Sequence, residues 1–222
     1  MTAALALAVS SAAHATITYT FDSDNQGWTY GDVAQVTAAS FGPAPWTGGR
    51  LSLGDMASQT GVFAPAAVLG DQSGAYGGSI SWKVADAFND GVPYAALILY
   101  GATMNASIDL GPPSTDVDNL TKYTVTLNES NFRAFTGGFN SSAAPLTEAQ
   151  FRSILGNLQG IGFNTEYKTG GDDSRFDDAV FNGFGSSTGA VPEPSVWAFM
   201  IFGFSLVGAR ARRAGAATFL VA

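Results

Sequence analysis

The chain has 222 residues with a formal net charge of −8; 46% are hydrophobic, 12% aromatic and only 13% charged, and 27 are glycine. It lacks cysteine, and its single histidine is His14, which excludes thiol nucleophiles, disulfides, cysteine-based zinc sites and a Ser-His-Asp triad. Between Thr16 and Gly189 there are 17 acids against 7 bases, a field that repels nucleic acid and anionic lipid but is compatible with divalent cations.

The opening "MTAALALAVSSAAHA" is small and apolar and ends in Ala13-His14-Ala15. Small residues at the −3 and −1 positions, Ala13 and Ala15, fit signal-peptidase cleavage after Ala15. Residues 1–15 therefore read as a signal peptide, truncated at its start because the basic n-region is missing; the alternative is an apolar first strand. "TITYTFDSDNQGWTY" then begins as an alternating strand, with Ile17, Tyr19 and Phe21 on one face. It breaks at the polar run Asp22 to Gly27.

Further strands are predicted at Gly78–Val84, Ala95–Gly101, Tyr123–Leu127, Gly160–Tyr167 and Arg175–Phe181, each bounded by Gly, Asn, Asp or Pro. One helix interrupts them. In "PLTEAQFRSILGNL", Thr147 is the predicted N-cap, Gln150 completes a capping box, and Phe151, Ile154, Leu155 and Leu158 share a side, with Gly156 as the C′ residue. Strands, one short helix and two closing strands predict an all-β jelly-roll sandwich over residues 16–184, of the galactose-binding or carbohydrate-binding-module kind, with the helix covering one end.

A linker, 185–191, leads to "VPEPSVWAFMIFGFSLVGARARRAGAATFLVA". Val196–Ala209 carries no charge and as a C-terminal hydrophobic helix would reach roughly 21 Å, against a hydrocarbon core of about 30 Å. It is too short for a permanent anchor and suits a transient tether, with the three arginines on the cytoplasmic side. The ordered set of Pro192, Glu193 and Pro194, the apolar span with Trp197, and Arg210, Arg212 and Arg213 resembles the PEP-CTERM sorting signal of bacterial exported proteins, here 192–213. That resemblance implies processing by exosortase near the Pro-Glu-Pro. Residues 214–222 are an extra tail beyond the family pattern.

A second resemblance covers the body. Phe63-Ala64-Pro65, Leu69-Gly70-Asp71-Gln72, Tyr76-Gly77 and Ile80-Ser81-Trp82, followed by "YAALILYG", "YTVTLNES", "LTEAQFRSILGNLQGIGFNTEY" and "RFDDAVF", resemble the laminin B domain (domain IV), roughly from Phe21 to Phe181. The cysteine-rich modules that flank this domain in animal laminins are missing here, so the resemblance implies fold and not assembly with laminin partners. It brings no established catalytic residues.

Two acid clusters stand out. Asp22 and Asp24 follow the first strand; Asp177 and Asp178 lie in the last, with Asp172 and Asp173 shortly before. First and last strands of a jelly roll commonly pair, which predicts a structural Ca²⁺ held by Asp22, Asp24, Asp177 and Asp178, with backbone carbonyls at Asn25 or Gly27 completing the shell. The competing reading gives Asp22 and Asp24 only a turn-shaping role and turns one of Asp177 and Asp178 to solvent. Trp46, in "FGPAPWTGG", is the candidate glycan contact, with loop packing as the alternative; most other aromatics belong to the core. The body's glutamates, Glu129, Glu148 and Glu166, form no acid–base pair.

These observations lead to a non-enzymatic protein, exported through signal peptidase and exosortase by way of a transient inner-membrane insertion. Its destination is the cell surface (a Gram-negative outer envelope) or an extracellular, biofilm-type matrix. Its work is adhesion or polysaccharide binding, without nucleic acid. The alternatives are a glycan hydrolase or lyase and a purely structural matrix protein.

Overall fold

The computed structural model describes residues 15–139 and 144–185. Ala13, the C-terminal hydrophobic segment and the sorting motif at Pro192, Glu193, Pro194, Trp197, Arg210, Arg212 and Arg213 lie outside the described residues. Among the described residues no helix is long and apolar enough to cross a membrane.

Among the described residues thirteen strands and one α-helix follow one another. The first six strands are β1 (Thr16–Tyr19), β2 (Thr29–Asp32), β3 (Ser40–Pro43), β4 (Trp46–Thr47), β5 (Arg50–Gly54) and β6 (Thr60–Phe63). After two 3₁₀ turns come β7 (Ser79–Asp86), β8 (Tyr94–Gly101), β9 (Asn105–Leu110), β10 (Thr121–Thr126) and β11 (Arg133–Phe135). The helix α1 (Glu148–Leu155) precedes the closing strands β12 (Leu158–Asn164) and β13 (Asp173–Asn182). They form a six-stranded sheet, β10-β7-β13-β5-β4 with β1 added on β13, and a seven-stranded sheet, β11-β9-β8-β12-β6-β2-β3. Strand pairs within both are antiparallel. This is the predicted sandwich, helix and two closing strands included.

The sheets are held together by aromatics. Phe163 of β12 is fully buried; its ring lies 5.4 Å from Trp28, 5.2 Å from Trp82, 5.2 Å from Phe176 and 6.2 Å from Phe181. Each such ring taken out of water contributes about 1.5–3 kcal/mol, and edge-to-face contacts add to it. On the other face of the seven-stranded sheet, where Val33 packs with Phe63, there is no room beside Gly61: a Cβ there would fall 2.3 Å from Val33 Cγ1 and 2.5 Å from the Phe163 carbonyl oxygen.

The capping box on α1 forms as predicted. Gln150 N–H donates to Thr147 Oγ1 at 3.3 Å, and Thr147 N–H donates to Gln150 Oε1 at 2.9 Å. Phe151, Ile154 and Leu155 are buried. Two details differ from expectation. Gly156 caps the helix with a right-handed φ of −67° rather than as a left-handed C′ residue, and Leu158 has left the helix to open β12. The helix stops at Leu155, in front of the expected Gly156, and the residues from Leu158 onward pair with β8.

The sequence also passed over β2–β6, β9 and β11. The β4–β5 hairpin shows why. Its turn is Gly48-Gly49, with φ of +57° and +86°, a two-residue loop that needs left-handed φ at both positions. The strand before it is only two residues long, too short for an alternating pattern to register.

Strand β13 organises the six-stranded sheet. On one edge Ser174–Asp177 and Val180–Asn182 pair with β7; on the other, Asp173–Phe176 pair with β5 and Ala179–Asn182 with β1. First and last strands are therefore neighbours. Between the two partners the register shifts by one residue, a β-bulge spanning Asp177 to Val180, and Asp178 takes φ +50°.

Candidate functional site

The carboxylates expected to share a Ca²⁺ are distributed along this edge. Pairing of β1 ends at Tyr19↔Ala179. Beyond it Asp22 Oδ2 accepts from the Thr20 hydroxyl at 2.6 Å, and Asp24 Oδ1 accepts from Gln26 N–H at 2.8 Å. The bulge turns Asp178 to Lys83, whose Nζ lies 2.6 Å from Oδ2. Asp177 Oδ1 accepts from Asp178 N–H at 2.8 Å, and burial pushes the Asp177 carboxyl above its ordinary value. No three of Asp22, Asp24, Asp177 and Asp178 converge on a common point. The first two shape the turn after β1, and the strand bulge gives the fourth a lysine partner.

Trp46 sits on β4 at the open edge of the six-stranded sheet, 39% exposed. Its indole N–H donates to the Phe21 carbonyl at 2.6 Å, which fixes the ring. In register it opposes Leu51, a core residue, so it faces the inner side, while Thr47 and Arg50 face outward. On that outer face lies an open groove of about 450 Å³ lined by Gly48, Arg50, Lys83, Asp118, Asn119 and Asp177. Arg50 Nη1 donates to the Val117 carbonyl at 2.9 Å and lies 3.6 Å from Asp118. Both contacts use one nitrogen of a group with five N–H donors.

Carboxylates do converge elsewhere. At the end of the sandwich where β5 and β7 stop and β6 and β13 start, Asp55, Glu166 and Asp172 each present a carboxylate oxygen, all within 4.8 Å of one another. Asp55 follows β5, Glu166 follows β12 and Asp172 precedes β13, so both sheets contribute. Asp55 and Glu166 border a cleft of about 250 Å³, together with Gln59, Tyr94 and Phe139.

Each member has a distinct setting. Asp86, the last residue of β7, is wholly buried; its Oδ1 accepts from Phe88 N–H at 3.1 Å and its Oδ2 from Tyr167 N–H at 2.8 Å. Glu166 Oε2 accepts from Thr60 N–H at 2.6 Å. Burial pushes both acids above their ordinary values, against these backbone bonds. Asp172 is pushed up to about 8, first by burial and then by the charges of Asp86, Glu166 and Asp55. Its carboxylate lies beside that of Asp86, yet neither Asp172 oxygen accepts an N–H or hydroxyl bond, and both are sealed from solvent. Two ionised carboxylates offer only acceptors; a shared proton or a cation is what can join them. The ion pairs among the described residues, Arg50–Asp118, Lys83–Asp178, Arg152–Glu148 and Arg175–Asp173, leave all four acids without a basic partner.

In the sequence Asp172 stands out only as a neighbour of the last strand and Glu166 only as a glutamate without a partner. Asp55, Asp86 and Gln59 carry no signal, since residues from three separate connections meet here without any fixed spacing.

With the geometry in view, likeness to known proteins is informative. Residues 62–183 match the family model for laminin B (domain IV). The chain belongs to that family. Among solved structures, the L4b domain of human laminin alpha-2 superposes with a TM-score of 0.55 at 15% identity, over 75% of this chain and 97% of that one. This laminin B chain therefore shares the L4b sandwich, including strands that precede the matched segment. The solution structure of CtCBM11 aligns over 78% of this chain and 98% of its own, at 13% identity and a TM-score of 0.37, too low to bear on the fold. No curated protein sequence matches the chain.

Proposed function

We propose that this laminin B chain is an exported, non-catalytic binding module of the cell surface or extracellular matrix, and that its ligand is a polysaccharide. Signal peptidase cuts after Ala15, and exosortase acts at the Pro192-Glu193-Pro194 motif while the following apolar segment is held transiently in the inner membrane. The observation that carries the binding reading is the outer-face groove of the six-stranded sheet. Donors from Arg50 and Lys83 stand there beside acceptors from Asp118, Asn119 and Asp177, a mixture suited to sugar hydroxyls, which both donate and accept. Trp46, on the inner-facing side of the adjoining edge strand and 39% exposed, offers a pyranose a stacking surface separate from that groove.

A glycan-active hydrolase or lyase is the rival. Its support is Asp172, an acid held near neutral range beside other carboxylates. Against it, a general acid must come within hydrogen-bond reach of the atom it protonates, and both Asp172 oxygens are sealed.

A glycan array probed with the full-length protein tests the binding reading. Retention of one polysaccharide class, lost on Arg50→Ala or Lys83→Ala, supports it. Silence across the array favours a structural matrix role, and turnover of a polysaccharide abolished by Asp172→Asn favours the enzyme. Intact mass of the protein from culture medium and envelope reads both cleavages at once; a chain retaining residues 1–15 and its tail in every fraction overturns the export route.

A further inference from the structure

We infer that the acidic cleft between the two sheets is a Ca²⁺ site, with Asp55, Glu166 and Asp172 as carboxylate ligands, Gln59 Oε1 as a neutral ligand and Asp86 closing the buried side. The inference rests on convergence and on orphaned acceptors. The three carboxylate oxygens lie within 4.8 Å of one another, which a coordination sphere of about 2.4 Å radius spans.

Gln59 supplies the independent observation. It is 3% exposed and lines the same cleft. Its Nε2 donates to Asn164 Oδ1 at 2.8 Å and to the Glu166 carbonyl at 2.9 Å, which fixes the orientation of the amide. Its Oε1 is left buried with no partner, as are both Asp172 oxygens. A buried polar atom without a partner costs about 1–3 kcal/mol; Gln59 shares its cleft with Asp55 and Glu166, whose carboxylates converge with that of Asp172. All are acceptors, so what satisfies them carries positive charge or hydrogen. A water would serve two of them, and a proton shared by Asp86 and Asp172 would remove one charge; a hard cation answers the orphaned acceptors and the gathered charge together.

The donor set is oxygen throughout, and the body of the chain has neither histidine nor cysteine, which disfavours softer metals. Ca²⁺ accepts six to eight oxygens in irregular geometry, whereas Mg²⁺ keeps its own waters, and oxygens sealed from solvent suit the former. An ion here ties the ends of β5, β7 and β13 in one sheet to those of β6 and β12 in the other. The inference goes beyond the polysaccharide reading and stands without it.

Calorimetric titration of EDTA-stripped full-length protein with CaCl₂, alongside a melting curve, tests the site. One Ca²⁺ binds, with Kd on the order of 0.1–1 mM or tighter, and Tm rises with ion concentration. Asp172→Asn weakens binding at least tenfold, yet its EDTA-treated form melts no lower than the EDTA-treated wild type, because a neutral amide relieves repulsion. Asp55→Asn, at an exposed position, weakens Ca²⁺ binding without risk to folding. Absence of any Ca²⁺ response, which leaves Asp86 and Asp172 sharing a proton, overturns the site. So does binding unchanged in Asp55→Asn and Asp172→Asn but lost in Asp22→Asn or Asp24→Asn, and so does Mg²⁺ binding as tightly as Ca²⁺.

Discussion

The two ends of the sandwich solve the same problem in opposite ways. At the end where β8 finishes at Gly101, α1 closes the core with Phe151, whose ring lies 4.9 Å from Phe132 and 6.3 Å from Tyr76. Charges there are matched: Arg152 stands 3.6 Å over the Tyr76 ring and 2.7 Å from Glu148, and the Tyr76 hydroxyl donates to Glu129 at 2.6 Å. At the other end, where β8 begins at Tyr94, closure falls to carboxylates with no basic partner and to buried oxygens with none at all. One end is complete as a polypeptide. The other is built as though a component from solution belongs to it.

That contrast can be broken at either end. The largest effect is expected from Phe151→Ala, which empties the helix end and costs about 3–5 kcal/mol; denaturant unfolding should show the same loss in Ca²⁺ and in EDTA. Removing Ca²⁺ comes next. At a concentration one hundred times Kd the ion stabilises by about 2.7 kcal/mol, so EDTA should lower Tm in the wild type and in Phe151→Ala alike, and by about half as much or less in Asp172→Asn. Thr147→Ala deletes one half of the capping box and should cost about 1 kcal/mol, again independent of the ion; a loss that depends on Ca²⁺ would show the two ends to be coupled. Smallest is Tyr76→Phe, which takes a hydrogen bond from Glu129. That bond holds the Glu129 carboxyl below its ordinary 4.5. Its contribution is therefore present above that value and lost as pH falls through the lowered one. The variant should melt slightly below wild type at pH 7 and together with it in strong acid.

The contrast also marks what could be read from sequence. The signals for the helix end are local: cap, box and apolar face all lie within a dozen residues, and the Thr147–Gln150 and Glu148–Arg152 partners sit three and four positions apart. Tertiary pairing changed only its edge, where Leu158 exchanged a helical position for one in β12. The family motifs from Phe63 to Trp82 were equally legible because their order is their signal. The acidic end is assembled from 55, 59, 86, 166 and 172, and nothing in the sequence says that these connections meet. The neighbouring expectation shows the same limit. Pairing of β1 with β13 followed from jelly-roll logic, but a single inserted residue at the bulge, with Asp178 in a left-handed conformation, swung its carboxylate to Lys83. A register shift of one residue is invisible to composition and decisive for which charges touch.

The pairing of Thr16 with Asn182, and of the Gly183 N–H with the Ala15 carbonyl at 3.1 Å, has a mechanical consequence. The chain enters and leaves the sandwich at one point, on antiparallel neighbours. Tension applied through both flanks loads the β1–β13 ladder from its end, so its hydrogen bonds open one after another like a zip rather than resisting together in shear. A module strung by both flanks would yield first at β1, with the aromatic interior still intact behind it.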